Sequence, residues 1–372
     1  MAQNLRIFYG FDLNLAESFG MQGIDIWTAN IYDTLKDMGH DLVHFDYKLG
    51  EFFHNLEKQN KRHVEYSKRN RQIVVDEFLR QIKKAHKQKP IDILFSYFYD
   101  HFMIKEAIEE VKKLGILTVN YNCNASYQLD LISDISPAFD YCLTVEKFRL
   151  DDYKKLGANP VYFQEGANPK YYKPYDLEKI YDVVFIGQCY GDRPSNIKYL
   201  INNNIDIKVF GPAWNNVIST PHKEVKNLFY KLISKKRKIR NLLPSSIIGK
   251  KLEFTDMIKT YSKSKIAINF ATCGETHLSN NRITQIRLRD FEAPMSGVCY
   301  MTEYNEELEE FYKIDKEIVC YSSIEELKDK IEFYLKNDKA REAIRKAGYE
   351  RAVGDHSWEQ RFKKCFKEIK IS

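Results

Sequence analysis

Short apolar runs recur along this chain, spaced widely enough for a helix between each pair. Leu5–Gly10 (LRIFYG), Leu42–Tyr47 (LVHFDY), Ile91–Phe98 (IDILFSYF) and Ile116–Asn122 (ILTVNYN) are runs of this kind. Such strands are covered on both faces, which is the habit of parallel sheets. Between them, Ile24, Trp27, Ile31, Leu35 and Met38 fall three or four apart, as on one face of a helix. Residues 51–89 are charged and helical in pattern, and Met103–Leu114 reads as a further helix. Gly39 and Gly115 are placed to stop the first and last of these. Tyr141–Val145 and Val161–Gln164 supply two more strands. Strand and helix in alternation predict a doubly wound parallel sheet.

The rhythm breaks at residues 166–181 (GANPKYYKPYDLEKIY) and then restarts. Asp182–Gly187 (DVVFIG), Asp206–Gly211 (DIKVFG), Lys265–Phe270, Gly297–Thr302 and Glu317–Tyr321 are the strands of a second round, with a helix from about Pro194. At 372 residues the chain is long enough for two domains. The expected organisation is a Rossmann-like domain over 1–166, a second over 167–356, and a closing helix over 357–372. In that helix Trp358, Phe362 and Phe366 repeat every four residues, giving an apolar stripe to bury.

Several function classes fall away. No apolar run is long enough to span a bilayer. The N-terminus MAQNLRIFYG lacks the basic-then-apolar pattern of a secretory leader, so a cytoplasmic location is expected. The seven cysteines show no C-x-x-C pair and read as reduced, buried thiols. A formal charge of +6 suits an anionic ligand and falls short of a nucleic-acid binder, so no specific nucleic-acid binding is expected. Lys223–Arg240 carries eight Lys or Arg among apolar residues. It reads either as a solvated helical insertion or as a peripheral contact with an anionic membrane, and the basic stretch Lys58–Lys89 carries the same two readings. No H-E-x-x-H, cysteine cluster or strand-end Asp-x-Asp is present, so no metal site is expected.

The chemistry-bearing residues cluster at expected strand ends. Arg287–Tyr312 (RLRDFEAPMSGVCYMTEYNEELEEFY) joins a carboxylate, small residues and a buried strand. Glu292 can accept hydrogen bonds from both hydroxyls of a ribose, and Arg287 and Arg289 can face a diphosphate. Ala293, Ser296 and Gly297 allow close approach. A solvated surface helix is the other reading. The loop Gly187–Arg193 (GQCYGDR) follows a strand and precedes a helix, a place where backbone N–H groups meet anions, with Arg193 beside them. It also reads as an ordinary strand–helix turn. In YFYDHF, Asp100 and His101 follow the third strand; they are a candidate proton relay or a structural pair. Asn120, Asn122 and Asn124 can bind sugar hydroxyls or cap the next turn.

FEAPMSG resembles the FEAxAxG segment of nucleotide-sugar glycosyltransferases with the GT-B fold, and the chain more closely resembles the spore-maturation CgeB-like glycosyltransferases. DVVFIGQCYGDRPSNIKYL, VFGPAW (Val209–Trp214), YSKSKIAINF (Tyr261–Phe270) and AREAIRKAGYERAVGDHSWEQRF agree in order over roughly residues 160–372. The resemblance implies two Rossmann-like domains with parallel sheets facing a central cleft, the N-terminal one on the acceptor side, and a C-terminal helix that returns to it. It implies donor contacts from Glu292, Arg193, Arg289, Gly187, Tyr190, Gly211, Trp214 and Ala293, and places the long loop Phe11–Gly23 at the cleft, a stretch that reads equally as a flexible surface loop; Asp100 and His101 are the catalytic candidates from the residues themselves. It implies metal-independent transfer, a hexosyl group for preference, to a glycan, a protein or a modified nucleic acid, with the nucleotide sugar as substrate and no cofactor. In one respect the chain departs from the pattern: eight residues before Glu292 stands Thr284, where many retaining relatives carry a glutamate. A nucleotide-sugar epimerase and a non-catalytic nucleotide-sugar-binding protein remain alternative readings.

Overall fold

The computed structural model describes residues 4–13, 15, 26–53, 61–233, 241–273 and 282–371. The chain divides into two compact units, Met1–Asn168 with Trp358–Ser372, and Pro169–Ser357.

The first unit is built on β1 (Arg6–Gly10), β2 (Asp41–His44), β3 (Ile93–Ser96), β4 (Leu117–Asn122), β5 (Tyr141–Thr144) and β6 (Pro160–Tyr162). They form one parallel sheet in the order β2-β1-β3-β4-β5-β6. All four residues of β3 are buried, as its continuous apolar run requires. The helix Lys61–Gln88 buries Val74, Val75, Phe78 and Ile82. Phe78 meets Phe8, Phe45 and Phe98 edge-on, with centroids 5.2–6.0 Å apart. The helix expected from Ile24 differs locally: Thr28–Tyr32 is a π-helical turn that runs into the α-helix Asp33–Asp37, and Ile24 lies outside the described residues. Its end is set by Gly39 at φ 91°, a left-handed conformation that glycine adopts without strain.

The helix Trp358–Glu368 belongs to this unit. Its buried stripe is Trp358, Phe362, Cys365 and Ile369, with Phe366 only partly covered, because a 3.6-residue turn drifts away from a strict four-residue repeat. Phe362 packs 5.7 Å from Phe95 and 5.4 Å from Phe163. Burying Trp358 and Phe362 contributes about 2–3 kcal/mol each by area. Arg361 Nε also donates to Glu165 O at 3.0 Å.

The second unit holds β7 (Tyr181–Ile186), β8 (Ile207–Phe210), β9 (Ser264–Asn269), β10 (Cys299–Glu303) and β11 (Val319–Tyr321), parallel, in the order β11-β10-β9-β7-β8. The Pro-containing stretch before β7 is packed rather than free. Tyr172 is buried against Phe254, Tyr175 N donates to Ser262 Oγ at 3.0 Å, and Pro174 lies so close to Gly297 that a Cβ there would fall 2.7 Å from it. Among the described residues no helix is long and apolar enough to cross a membrane.

Candidate functional site

The second sheet reverses direction at β7: β8 pairs on one side of it and β9 on the other. Loops leaving the carboxyl ends of β7 and β9 diverge, and ligands of open α/β sheets bind in the crevice so formed. In this unit the crevice is a pocket of about 190 Å³. Tyr190 and Arg193 enter it from beyond β7, Thr272 from beyond β9, Glu303 from the end of β10, and Ser322 and Ser323 from beyond β11. Arg282 also lines it, paired with Asp192.

Arg193 opens the helix Arg193–Asn202 and is 7% exposed. Its Nη1 donates to Gln188 O at 2.9 Å and its Nη2 to Phe270 O at 3.1 Å, tying the loops after β7 and β9 together. The guanidinium lies 3.9 Å from the centroid of the Tyr190 ring. Burial lowers its pKa to about 10, a sign that its charge is partly withheld from water.

Gly187, Gly211 and Trp214 form one knot. Trp214 is buried and its Nε1 donates to Gly187 O at 2.8 Å. Gly211 sits at φ 135°, and a Cβ there would lie 2.3 Å from that same carbonyl oxygen. A Cβ on Gly187 would meet the Phe185 ring at 2.9 Å and Arg289 Nη2 at 3.1 Å. These three residues therefore shape the loop above β7 and leave room for Arg289.

Arg289 is partly exposed and donates through Nη1 to Asn269 Oδ1, at the end of β9, at 2.8 Å. Burial works against its charge, but Tyr261 and Glu292 more than offset that, and its pKa rises above the ordinary range. Glu292 lies one turn further along the helix Arg289–Met295 and is only 4% exposed, where the sequence pattern suggests a cleft carboxylate. Tyr261 OH donates to its Oε1 at 3.4 Å. Burial raises its pKa, with Arg289 opposing. Ala293 is fully buried beside it. Arg287 contributes its backbone: its N–H donates to Asp290 Oδ2 at 2.7 Å.

Asp100 and His101 are in the first unit, beyond the end of β3. The Asp100 carboxylate accepts from Asp134 N at 3.2 Å and from Ile135 N at 3.1 Å, so it holds a turn in place. His101 is buried. Asn120 is equally committed: its Oδ1 accepts from Phe98 N at 2.8 Å and its Nδ2 donates to Phe98 O at 3.1 Å. Asn122 Oδ1 accepts from Asn124 N at 2.9 Å, an Asx turn. Most of the loop Phe11–Gly23 lies outside the described residues, as do residues 234–240 of the basic segment and the side chains from Leu228 onward. Lys223 Nζ caps carbonyls of Asn216 and Ile218, at 3.2 and 3.1 Å. Among the described residues no group of three or more His, Cys, Asp or Glu could hold a metal ion.

A family model described as glycosyl transferase-like matches residues 196–367. No curated protein matches the chain in sequence. Among solved structures, sucrose-phosphate synthase from Thermosynechococcus elongatus is similar over 99% of this chain and 98% of its own, at TM-score 0.60 and 11% identity. The fold is GT-B. An α-glucosyltransferase in complex with UDP and a 13-mer DNA containing a HMU base is similar over 99% of this chain and 100% of its own, at TM-score 0.58 and 12% identity. Anabaena HepE in complex with UDP and glucose is similar over 99% of this chain and 100% of its own, at TM-score 0.55 and 8% identity.

Thr272, Arg282, Glu303, Ser322 and Ser323 are pocket residues that a reading of motifs does not find. Only Glu303 leaves a trace in sequence, as an acid directly following the apolar run GVCYMT.

Proposed function

We propose that this protein is a glycosyltransferase of the CgeB-like kind, which moves a sugar, a hexose for preference, from a nucleotide diphosphate sugar to an acceptor hydroxyl without a metal ion. The observation that carries this reading is the pocket at the reversal of the second sheet, with Arg193, Arg282 and Glu303 on its walls. Further support comes from the glycosyl transferase-like match, which covers β8 to β11 and the helices among them, and from GT-B neighbours holding UDP or UDP and glucose.

In this reading the second unit takes the donor. Arg289, beside the cleared space over Gly187, and Arg282 at the pocket wall meet the diphosphate. Arg193 acts through the loops it joins. Glu292 receives the ribose, exchanging the long bond from Tyr261 for two hydroxyls. As the bond from the anomeric carbon to the diphosphate breaks, negative charge grows on the leaving group, and fixed cations stabilise it more than they stabilise the intact donor. The acceptor oxygen bonds to the anomeric carbon and loses its proton. His101, on a turn that Asp100 fixes, is the candidate to take it.

The test follows nucleoside diphosphate release from a panel of nucleotide sugars, with and without excess chelator. Release from at least one donor, undiminished by chelation, is expected. Complete and reversible loss on chelation contradicts the metal-free mechanism, and no release from any donor contradicts transfer.

A further inference from the structure

Glu303 closes β10 and turns its side chain to the pocket. Both of its described hydrogen bonds fall on one oxygen: Oε2 accepts from Ala271 N at 3.2 Å and from Thr272 Oγ1 at 3.3 Å. The carboxylate is thus anchored across the sheet to the loop beyond β9. Behind it, Thr272 bridges to Thr284, and Asn305 Nδ2 holds Thr284 O at 3.1 Å and Thr284 Oγ1 at 3.2 Å. The groups that hold this part of the wall, Thr272, Thr284 and Asn305, are uncharged. Asp192, the other acid lining the pocket, is taken by Arg282. Glu303 is half-buried, and among the described residues its Oε1 accepts from none.

An anchored carboxylate with one oxygen turned to a pocket selects for hydrogen-bond donors. It repels phosphate and accepts from hydroxyls, so a ligand carrying both places its anionic part toward the arginines and its hydroxyls toward Glu303. We propose that Glu303 is the specificity-determining carboxylate for the donor's sugar, its Oε1 accepting from sugar hydroxyls. The assignment rests on the donor reading above and goes beyond it by separating the sugar from the nucleotide.

Glu303→Gln keeps one acceptor for the Ala271 amide and presents an NH₂ where the hydroxyl hydrogens arrive. Titration calorimetry with UDP and UDP-glucose, and with the matching GDP–GDP-mannose and ADP–ADP-glucose pairs, compares the variant with the unaltered protein. The expected result is diphosphate affinity within about twofold and affinity for the corresponding nucleotide sugar reduced about tenfold, the size of one charge-assisted hydrogen bond. Retained diphosphate binding also shows that the variant is folded. Equal losses for both ligands, or none for the sugar nucleotide, would overturn the assignment and leave the donor reading standing. If the unaltered protein binds none of the six ligands, the donor reading falls, and this assignment with it.

Discussion

Arg193→Met removes the group that ties the two pocket loops together. Two hydrogen bonds to carbonyls, at 2.9 and 3.1 Å, are lost. Bonds to a charged donor contribute about 1.5–3 kcal/mol each, and the contact with the Tyr190 ring adds about 1 kcal/mol. Against this stands the cost of burying the guanidinium. Burial brings its pKa from 12.5 to about 10, equivalent to roughly 3 kcal/mol that methionine would recover. The balance is a net loss of about 1–4 kcal/mol. For a domain of this size each kcal/mol moves the midpoint by roughly 2–4 °C. Differential scanning calorimetry should therefore show a drop of about 2–16 °C. Arg193→Lys keeps the charge but lacks the fork, so it should fall between. Arg282→Met, at an exposed ion pair, should cost less than about 1 kcal/mol. An Arg193→Met midpoint within a degree of the unaltered protein, or an Arg282→Met loss as large as that of Arg193→Met, refutes the reasoning.

Gly211→Ala places a methyl 2.3 Å from Gly187 O at a φ of 135°, so the variant should lose more than about 2 kcal/mol in a denaturant melt. Glu292→Gln should lower nucleotide affinity by about 5- to 150-fold. Its melting point should fall little, because burial already raises the pKa of this carboxyl and a neutral amide escapes that penalty. The same substitution at exposed Glu306 should change neither quantity. Burial also lowers the Lys179 ammonium to about 8 from 10.5. The unfolded chain then holds the extra proton between those values, so stability should rise with pH from about 8 to 10.5. Lys179→Met should flatten that rise in melts taken across the window.

Much of the fold is legible in the residues themselves. Buried parallel strands advertise themselves as unbroken apolar runs: β1, β3, β4, β5, β8 and β11 each sit within the run that marks them, and β7, β9 and β10 overrun theirs by one residue. The candidate site is less legible. Thr272 and Glu303 are 31 residues apart and meet only because β9 and β10 are neighbours in register, Asn269 opposite Thr302. Glu292 reads from the sequence as a cleft carboxylate or a solvated acid, yet Tyr261, from a separate helix, covers it, and no local periodicity reports that. Asp100 resembles half of a proton relay because Asp-His is a catalytic pairing in general. The backbone amides it holds are 34 and 35 residues away and carry no signature of their own. The helix Trp358–Glu368 is recognisable as amphipathic, but its true seam runs through Cys365 and Ile369 rather than Phe366, a matter of helical drift.

The central claim is that the second unit binds a nucleotide sugar in the pocket over β7, β9 and β10. A thermal-shift screen of nucleoside diphosphates and their sugars, without added metal, tests it most directly. A ligand at about 100 times its dissociation constant adds roughly 2.7 kcal/mol to the folded state. A rise of about 5–10 °C with one nucleotide family, reduced in Glu292→Gln, is the predicted result. A screen in which no nucleotide or nucleotide sugar moves the midpoint contradicts the claim.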